Sequence, residues 1–476
     1  MKQKLLLAIT LIAFLTTSAQ VTLLKEINDS GTANSNPSNF FVFNNKIYFS
    51  ADDSNGSNTP GNVDLGAELW VTNGTSEGTS FFKDFNIGSG NSTPNFFFQF
   101  NGTMYFSANT GSGNVLFSSD GTVDGTVATG GSFVFEPREL NGLVYYINTT
   151  DANGLYQFDG TTQVKVANTG SEHVNFIGAQ IIVFNGKIYG YGFTETDDPT
   201  IGRELYSYDP ATDTYSLVKD ITASANNSGI SNFVKVGNEL YFEALGKVWK
   251  TDGTTNGTVE VTAANSLTGT DFYFNWNGVL FFEGDAGGTS NDQLWKYDPN
   301  TDTITNVSNI TGSTATGGNN HDPDDYAVVG NYMYYRGEPA DDTNGYLYRT
   351  NGNTSELITK DIKDIDQIVV LNDKLFFEGD NGTTGNELYM LDPTTLSIES
   401  VSKSSLQIYP NPASEFIQIA SEYVNSNYKI YSILGQVVKE GIITSSQISV
   451  SGISKGNYIL KVSQDDKVST QKLIIQ

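Results

Sequence analysis

The chain has 476 residues, no cysteine, and 53 acidic against 26 basic side chains, which give a net charge of −27. Disulfides, thiolate metal sites and a cysteine nucleophile are therefore excluded. Nucleic acid is an unfavourable partner for so acidic a chain, because phosphate backbones are bound by cationic surfaces.

The N-terminus is typical of a secretory signal peptide. Two lysines precede an apolar run from Leu5 to Leu15, and small residues follow where a cleavage site is expected. We predict that residues 1–19 are removed by cleavage between Ala19 and Gln20. The apolar run has 11 residues, whereas a membrane-spanning helix needs roughly 20. We therefore expect a secreted protein that does not span the membrane.

Most of the remaining chain repeats one pattern eight times. Each repeat has a strand ending in an aromatic pair, a Gly/Asp-rich loop, a second strand with an aromatic residue, and a tight Asp or Asn turn. The first aromatic anchor recurs every 47 residues or so on average, a period typical of four-stranded propeller blades. The eight first anchors are Tyr48, Tyr105, Tyr145, Tyr189, Tyr241, Phe281, Tyr334 and Phe376.

The first repeat predicts four antiparallel strands. They are Asn39 to Phe43, Lys46 to Ala51, Glu68 to Thr72 and Ser80 to Phe85, separated by turns and loops rich in Asn and Gly. One such sheet is apolar on both faces and cannot shield them from water. Neighbouring sheets must therefore stack face to face and close into a ring, and the aromatic anchors are expected to form the core.

The sequence leaves seven or eight blades open, and we expect eight. Val21 to Ile27 matches the fourth strand of later repeats and is expected to pair with the last blade, although Ser397 to Val401 competes for that place. We place the propeller at residues 20–402 and a small Ig-like β-sandwich at residues 403–476. The predicted fold class is therefore all-β.

Three repeats contain related segments before the second turn: Gly66 to Trp70 (GAELW), Gly202 to Tyr206 (GRELY) and Gly385 to Tyr389 (GNELY). Together with Asp-Gly-Thr turns, they resemble the ELWxxDGT repeat family of exported, hyalin-like bacterial propeller proteins. A second turn type, as in Asp209 to Thr212, is similar to Kelch repeats. The resemblance covers roughly residues 21–400 and implies a fold, not a chemistry.

The C-terminal region has a different composition and short alternating strands, which are typical of a β-sandwich. The motifs YPNP, YSILGQVV and GNYILKV occur there in that order. They are similar to the type A C-terminal sorting domain of the type IX secretion system of Bacteroidetes. The residues that carry this resemblance are Tyr409, Pro410, Asn411, Pro412, Gly435, Gly456, Tyr458 and Lys472.

The resemblance implies that the type IX machinery recognises the C-terminal module as its partner. It also implies passage across the outer membrane, removal of the module by a sortase-like peptidase, and release or lipid-polysaccharide attachment of the rest. Family tails often finish close to a basic residue, whereas Lys472 is followed by four more residues. An ordinary terminal Ig-like domain is the alternative interpretation.

Polar residues recur two positions after the first anchor. Carboxylates occupy this place as Glu243, Glu283 and Glu378, and Arg336 occupies it in a fourth repeat. One hypothesis is a polar constellation at one end of the channel that binds a sugar or a cation, or supplies paired carboxylates for glycoside cleavage. The preferred interpretation of these positions is structural: each glutamate accepts backbone or Arg336 hydrogen bonds between neighbouring blades.

The segment Gly317 to Asp325 contains Asp322, Asp324 and Asp325 beside His321, one of only two histidines. These oxygen donors can ligate calcium, but their spacing matches no EF-hand, so a solvated loop is the preferred interpretation. The same applies to the Asp-rich loop Ala51 to Gly66. We assign no cofactor and no metal site, and leave calcium open.

The preferred hypothesis is a secreted or surface-displayed propeller that binds extracellular glycan or protein through the loops at one end of its ring. A glycan-active hydrolase or lyase using some of Glu243, Glu283 and Glu378 is one alternative. A passive adhesive or matrix component is another. Catalysis is left open and is not favoured.

Overall fold

The computed structural model describes residues 21–132, 134–167, 172–222, 224–287, 292–310, 321–396, 406, 408–420, 423–432, 436–464 and 467–476. They divide into two compact units, the propeller unit within Ala19–Thr395 and the C-terminal unit within Leu396–Gln476. The signal-peptide residues, Ala19 and Gln20 included, lie outside the described residues, as do Ser397 to Val401.

The propeller unit consists of four-stranded antiparallel blades, and a bridge between Gly154 and Asn175 joins blades 3 and 4 into one eight-stranded sheet. The closing strand β1 is Thr22–Lys25. Blade 1 contains β2 (Ser38–Phe43), β3 (Lys46–Asp52), β4 (Ala67–Thr72) and β5 (Ser80–Lys83); blade 2 contains β6 (Asn95–Phe100), β7 (Thr103–Asn109), β8 (Asn114–Ser119) and β9 (Val127–Ser132). Blade 3 contains β10 (Phe135–Leu140), β11 (Leu143–Asn148), β12 (Gly154–Phe158) and β13 (Gln163–Lys165); blade 4 contains β14 (Asn175–Phe184), β15 (Lys187–Phe193), β16 (Glu204–Asp209) and β17 (Thr214–Lys219).

The remaining blades repeat this order. Blade 5 contains β18 (Ser231–Val236), β19 (Glu239–Ala244), β20 (Lys247–Thr251) and β21 (Val259–Glu260); blade 6 contains β22 (Thr268–Trp276), β23 (Val279–Asp285), β24 (Asp292–Asp298) and β25 (Thr303–Asn306). Blade 7 contains β26 (Asp324–Val329), β27 (Tyr332–Gly337), β28 (Tyr346–Thr350) and β29 (Ser355–Leu357); blade 8 contains β30 (Lys363–Leu371), β31 (Lys374–Asp380) and β32 (Asn386–Leu391). Two short 3₁₀ helices lie at Thr262–Ala264 and Pro393–Thr395.

The blades form a closed ring. The first strand of each blade contacts the first strands of both neighbours, and β2 of blade 1 contacts β30 of blade 8. Strand β1 supplies the fourth strand of blade 8, where Leu23 lies opposite Tyr389 on β32. The prediction of an all-β propeller is confirmed, as is the pairing of the N-terminal strand with the last blade.

The hydrophobic core lies between neighbouring blades. The second strand of a blade is buried on both faces, so its alternate side chains enter different layers. In β3, Tyr48 shares a buried cluster with Met104 of blade 2, whereas Phe49 shares one with Phe376 of blade 8. All eight first anchors are buried, which confirms their assignment to the core.

The Asp-Gly-Thr turns also tie neighbouring blades together. In blade 2, the Asp120 carboxylate accepts hydrogen bonds from the Thr122 amide at 2.8 Å and from its hydroxyl at 2.7 Å. A Cβ at Gly125 would lie 2.1 Å from Asp120 Oδ1, so a glycine is required there. The Tyr48 hydroxyl of blade 1 donates to the Gly121 carbonyl at 3.0 Å.

A buried carboxylate holds the closing segment in place. Glu387 on β32 accepts hydrogen bonds from the amides of Ile27 at 2.7 Å and Asn28 at 3.1 Å, and from the Ser35 hydroxyl at 2.7 Å. Burial raises the pKa of Glu387 to about 7, against these three hydrogen bonds, which lower it. Glu387 is the glutamate of the GNELY segment.

The equivalent glutamates of other blades also accept hydrogen bonds from the segment that follows the fourth strand. Glu68 accepts from the Phe85 and Ser92 amides, and Glu204 from the Ile221 amide. In blade 6 a neutral side chain, Gln293, has this role and accepts hydrogen bonds from the Ser308 hydroxyl and the Ile310 amide, both at 2.8 Å. The glutamate of the ELW-like motif therefore fixes the crossover to the next blade.

The C-terminal unit is a two-sheet sandwich, as predicted. One sheet has the order β33-β34-β37 and the other the order β36-β35-β38-β39. Their inner faces share one core, to which Ile417 and Ile448 contribute from the first sheet and Ile430 and Leu460 from the second. The strands are β33 (Ile408–Tyr409), β34 (Phe416–Ile419), β35 (Asn427–Ser432), β36 (Val437–Ile442), β37 (Gln447–Ser449), β38 (Gly456–Gln464) and β39 (Lys467–Ile475).

Truncating Ile27 is expected to weaken the ring closure. Its side chain is fully buried against blade 8, so Ile27→Ala should lower the free energy of unfolding by about 2–5 kcal/mol. Val42→Ala, at a position that is 37% exposed, is the control and should change it by at most about 0.5 kcal/mol. Tryptophan fluorescence during denaturation measures this, because all four tryptophans lie in the propeller unit. Equal effects of the two variants would contradict the closing role.

The raised pKa of Glu387 predicts a pH dependence of stability. Because the folded state holds the proton more tightly than the unfolded state, the free energy of unfolding falls as pH rises from about 4.5 to about 7. Glu387→Gln removes this part of the fall, so the variant should gain stability relative to wild type between pH 4.5 and pH 7. Urea denaturation at several pH values measures the difference. The exposed control Glu77→Gln should run parallel to wild type, and a parallel curve for Glu387→Gln would contradict the prediction.

Candidate functional site

In each blade a tight turn joins the end of the first strand to the start of the second strand. The residue two positions after the first anchor lies near the other end of the second strand, opposite a residue near the start of the first strand. We call this end of the blades the loop end of the ring. In blades 1 to 3 the pairs are Ser38 with Ser50, Asn95 with Ser107, and Phe135 with Ile147. In blades 5 to 8 they are Ser231 with Glu243, Asp271 with Glu283, Asp324 with Arg336, and Asp366 with Glu378. We call these last eight residues the acidic sector.

Two of the three predicted glutamates are satisfied within their own blade. Glu378 is 7% exposed and accepts a hydrogen bond from Asn386 Nδ2 at 2.6 Å. Glu243 accepts from the Ser231 hydroxyl at 2.9 Å and from the Gly246 amide at 2.5 Å. Burial raises the pKa of both groups, that of Glu378 to about 7.

Glu283 has a different environment. It is 8% exposed, and no hydrogen bond or ion pair reaches its carboxylate from the described part of the chain. One oxygen each from Glu283, Asp292 and Asp322 lie within 4.8 Å of one another. Burial, followed by the charges of these two aspartates, raises the pKa of Glu283 to about 8. We call Glu283, Asp292 and Asp322 the three-carboxylate group; its oxygens can hold a metal ion.

Among the described residues, Arg336 forms no ion pair with Glu243, Glu283 or Glu378. Its ion pairs among the described residues go to Asp324 at 3.2 Å and to Glu338 at 3.6 Å. Burial raises the pKa of Asp324 to about 6, although Arg336 opposes the change. Asp324 Oδ1 is buried and has no hydrogen-bond partner in the described chain.

Asp325, a candidate metal ligand, connects blades instead. Its carboxylate accepts a hydrogen bond from the Gln367 amide of blade 8 at 2.8 Å, and the Gln367 side chain accepts one from the Asn39 amide of blade 1. Asp325 sits at a bulge with a φ of 52°. Of the three loop aspartates, only Asp322 belongs to the three-carboxylate group. Gly317 to Asn320 lie outside the described residues.

His321 is a core residue, so the solvated-loop interpretation is wrong for it. It is fully buried, with Nδ1 2.6 Å from the Glu338 carbonyl oxygen and Nε2 3.0 Å from the Tyr335 hydroxyl. Burial lowers the pKa of the imidazole to about 4. Both ring nitrogens are engaged, so His321 is not free to ligate a metal.

The Asp-rich loop after β3 is held by its own contacts. Asp53 is 1% exposed, and its carboxylate accepts from the Asn58 amide at 2.5 Å. Burial raises the pKa of Asp52 and of Asp53. Within the described residues, these aspartates do not join Asp64 in a group of three converging carboxylates.

Asp292 was not recognised in the sequence. It is the first residue of β24 and lies opposite Asp285, and only this register brings it to Glu283. In blade 8 the same place is taken by Asn386, opposite Asp380. Aligning the repeats on their paired strands is the signal that identifies Asp292.

The sorting motif fixes the end of the chain in the C-terminal unit. Asn411 Nδ2 donates to the Lys472 carbonyl at 2.7 Å, and the Ile474 amide donates to Asn411 Oδ1 at 2.8 Å. The Tyr458 hydroxyl donates to the Ser454 carbonyl at 2.7 Å. Asn411 therefore holds one edge of β39 by two hydrogen bonds. The other motif residues are Tyr409, Pro410 and Pro412, which are exposed, Gly456 on β38, and Gly435, which lies outside the described residues.

The fold and this tail define a β-propeller protein with a terminal sandwich. Residues 407–476 match the family model of the secretion system C-terminal sorting domain, which confirms the predicted type IX sorting domain. The chain is therefore a secreted or cell-surface protein exported by type IX secretion. Among the described residues, none of the helices has the length and apolar character needed to cross a membrane.

Short regions of two curated proteins are similar to this chain. Beta-agarase A of Zobellia galactanivorans is 31% identical over 97 residues, which is 20% of this chain and 17% of that protein. Ulvan lyase NLR42 of Nonlabens ulvanivorans is 32% identical over 90 residues, or 18% of this chain and 17% of that protein. The chain thus spans only 17% of the length of these relatives.

Solved structures with distant similarity were also found. PorZ, a surface component of the type IX secretion system of Porphyromonas gingivalis, has 12% identity and a TM-score of 0.37, covering 92% of this chain and 69% of PorZ. Oligogalacturonate lyase in complex with manganese has 14% identity and a TM-score of 0.39, covering 61% of this chain and 86% of the lyase.

Asn411→Ala should loosen the end of the sorting domain and reduce export. The change removes both hydrogen bonds to the segment Lys472 to Ile474, at a cost of about 1–2 kcal/mol for so exposed a residue. Immunoblots of cells and medium from the native host measure the exported fraction. Asn427→Ala, at an exposed position on β35, is the control. If the two variants are exported equally, these hydrogen bonds have no role in sorting.

Proposed function

We propose that the protein binds an extracellular glycan or protein through the acidic sector at the loop end of its propeller. The observation that supports this is that blades 5, 6 and 8 carry a carboxylate at a position where blades 1 to 3 carry an uncharged residue. The fold position of Glu243, Glu283 and Glu378 is occupied by serine in blades 1 and 2, and by isoleucine in blade 3. The fold therefore does not require carboxylates there, and ligand binding explains why they occur in blades 5, 6 and 8.

The chemistry of the sector suits a ligand rich in hydrogen-bond donors. Carboxylates accept hydrogen bonds from sugar hydroxyls, and from the lysine and arginine side chains of a protein. Arg336 adds a donor for ligand oxygens, and its ion pairs with Asp324 and Glu338 orient it. The connections from each blade to the next lie at this end of the ring, and loops on a rigid scaffold commonly carry binding residues.

Catalysis by the three glutamates has less support. They lie in different blades, and each has its own neighbours: Ser231 for Glu243, Asn386 for Glu378, and two aspartates for Glu283. A glycosidase needs two carboxyl groups that face one substrate bond about 5–10 Å apart. Binding without turnover is therefore the function that we favour.

We also infer that the repeats are of the ELWxxDGT type. The support is the shared role of the motif glutamate in blades 1, 4 and 8, and the Asp-Gly-Thr turn that contacts the preceding blade. This resemblance favours a role shared with other exported propeller proteins and leaves the ligand to experiment.

Glycan and protein arrays probed with the full-length exported chain test the proposal. We expect saturable binding that weakens at least about tenfold in the double variant Glu243→Ser and Glu378→Ser, since one lost charged hydrogen bond is worth about 1.5–3 kcal/mol. Serine is chosen because the fold already carries it at this position in blades 1 and 2. The matched control, Ser50→Ala with Ser107→Ala, should bind as wild type does.

Three results would contradict the proposal. The first is the absence of binding to any glycan or protein, which favours a passive matrix component. The second is equal weakening by the serine-to-alanine control. The third is the release of reducing ends or unsaturated sugars from a bound glycan, which identifies an enzyme.

A further inference from the structure

Glu283 of blade 6 can be compared with the equivalent glutamate of blade 8, Glu378. Blades 6 and 8 place a glutamate at the same position of the second strand, as Glu283 and Glu378. In blade 8 the neighbouring third strand begins with Asn386, whose amide donates to Glu378 at 2.6 Å. In blade 6 the equivalent residue is Asp292, which has no proton to donate when ionised. Glu378 therefore has a hydrogen-bond donor beside it, whereas Glu283 has a second carboxylate at the equivalent place.

A third acid completes the group from the next blade. Asp322 precedes β26 of blade 7, and one oxygen from each of Glu283, Asp292 and Asp322 lies within 4.8 Å of the others. Glu283 is more than nine-tenths buried, and no donor or cation of the described residues reaches its carboxylate. A buried carboxylate without a partner is costly, because burial removes its hydration without replacing it.

Further negative charges lie near the three-carboxylate group and add to the repulsion on Glu283. Asp271 lies opposite Glu283 in the sheet, and Asp324 follows Asp322 at the start of β26. The nearby guanidinium of Arg336 pairs with Asp324 and Glu338. The four charged neighbours that act most strongly on Glu283 are all aspartates. A positive charge placed among them would be held by several carboxylates at once.

The ligand set selects the kind of cation. Carboxylate oxygens without histidine or cysteine favour hard cations such as calcium and magnesium. Calcium binds oxygen at about 2.3–2.6 Å, so oxygens on opposite sides of the ion lie about 4.6–5.2 Å apart, whereas magnesium requires about 4.0–4.2 Å and regular octahedral geometry. The oxygens of the three-carboxylate group lie no more than 4.8 Å from one another, so a single calcium ion can contact all three.

We propose that Glu283, Asp292 and Asp322 form a calcium-binding site between blades 6 and 7. The ion joins β23 and β24 of blade 6 to the segment that enters blade 7, and so fixes the loop end of the ring at this seam. The site lies within the same end of the propeller as the acidic sector. Calcium binding needs no glycan or protein ligand, so it is measured separately from the proposed function.

Terbium luminescence with the full-length protein tests the site. Terbium replaces calcium in oxygen sites, and Trp295, whose indole nitrogen donates to the Gly284 carbonyl at 2.9 Å beside Glu283, is placed to sensitise it. We expect luminescence that calcium chloride displaces with a dissociation constant of about 0.1–1 mM, as in extracellular calcium modules. Magnesium chloride should displace it at least about tenfold less well, because of its smaller coordination distance.

Variants separate this site from nonspecific binding to an acidic surface. Glu283→Gln and Asp322→Asn should each weaken calcium binding at least about tenfold, since affinity depends on the number of charged ligands. Glu68→Gln, a buried glutamate of blade 1, is the matched control and should bind calcium as wild type does. Far-UV circular dichroism without calcium verifies that each variant is folded. Unchanged affinity in the two site variants, or equal displacement by magnesium, would overturn the proposal.

Discussion

The structure depends on the burial of each blade's second strand on both of its faces. Strand β3 is buried over Ile47 to Ala51 without a polar side, and its counterparts share this pattern. Such a strand is stable only with a neighbouring sheet on each side, so no blade can end the stack. In the ring, blade 8 packs against blade 1, and β1 from the N-terminus is the fourth strand of blade 8. Glu387 holds the segment after β1 by three hydrogen bonds.

The inter-blade core, the strand boundaries and the closing strand could be predicted from the sequence, because each of them depends on a local pattern of residues. Aromatic anchors with a fixed period predicted the inter-blade core, and Asn-Gly and Asp-Gly-Thr turns predicted the strand boundaries to within a residue or two. The match of Val21 to Ile27 with later fourth strands predicted the closing pair. The same holds for the C-terminal sandwich, whose motifs identified a sorting domain before the contacts of Asn411 showed how the tail is fixed.

What the sequence did not reveal depends on neighbours that are distant along the chain. The glutamate of the ELW-like motif is a conspicuous charge, yet its partners lie after the fourth strand, and its burial was not evident. Arg336 was considered as a hydrogen-bond partner of Glu243, Glu283 and Glu378, but strand register places it opposite Asp324. Asp292 was missed because it is one acid among many until β24 is aligned with β23. Contacts of this kind follow from register and blade order, which composition and periodicity do not specify.

In a ring of repeats, departures from the repeat are the places where function differs from fold. Buried anchors recur in every blade, whereas motif glutamates and Asp-Gly-Thr turns recur in several blades with the same structural role, so these features report architecture. The acidic sector does not recur, since serine and isoleucine fill the same positions elsewhere in the ring. Within that sector, Asn386 satisfies Glu378, whereas its equivalent, Asp292, leaves Glu283 facing carboxylates. Because both arrangements occur on one backbone, the fold cannot be the reason for the difference, and the charge at blade 6 points to a ligand that carries the opposite sign.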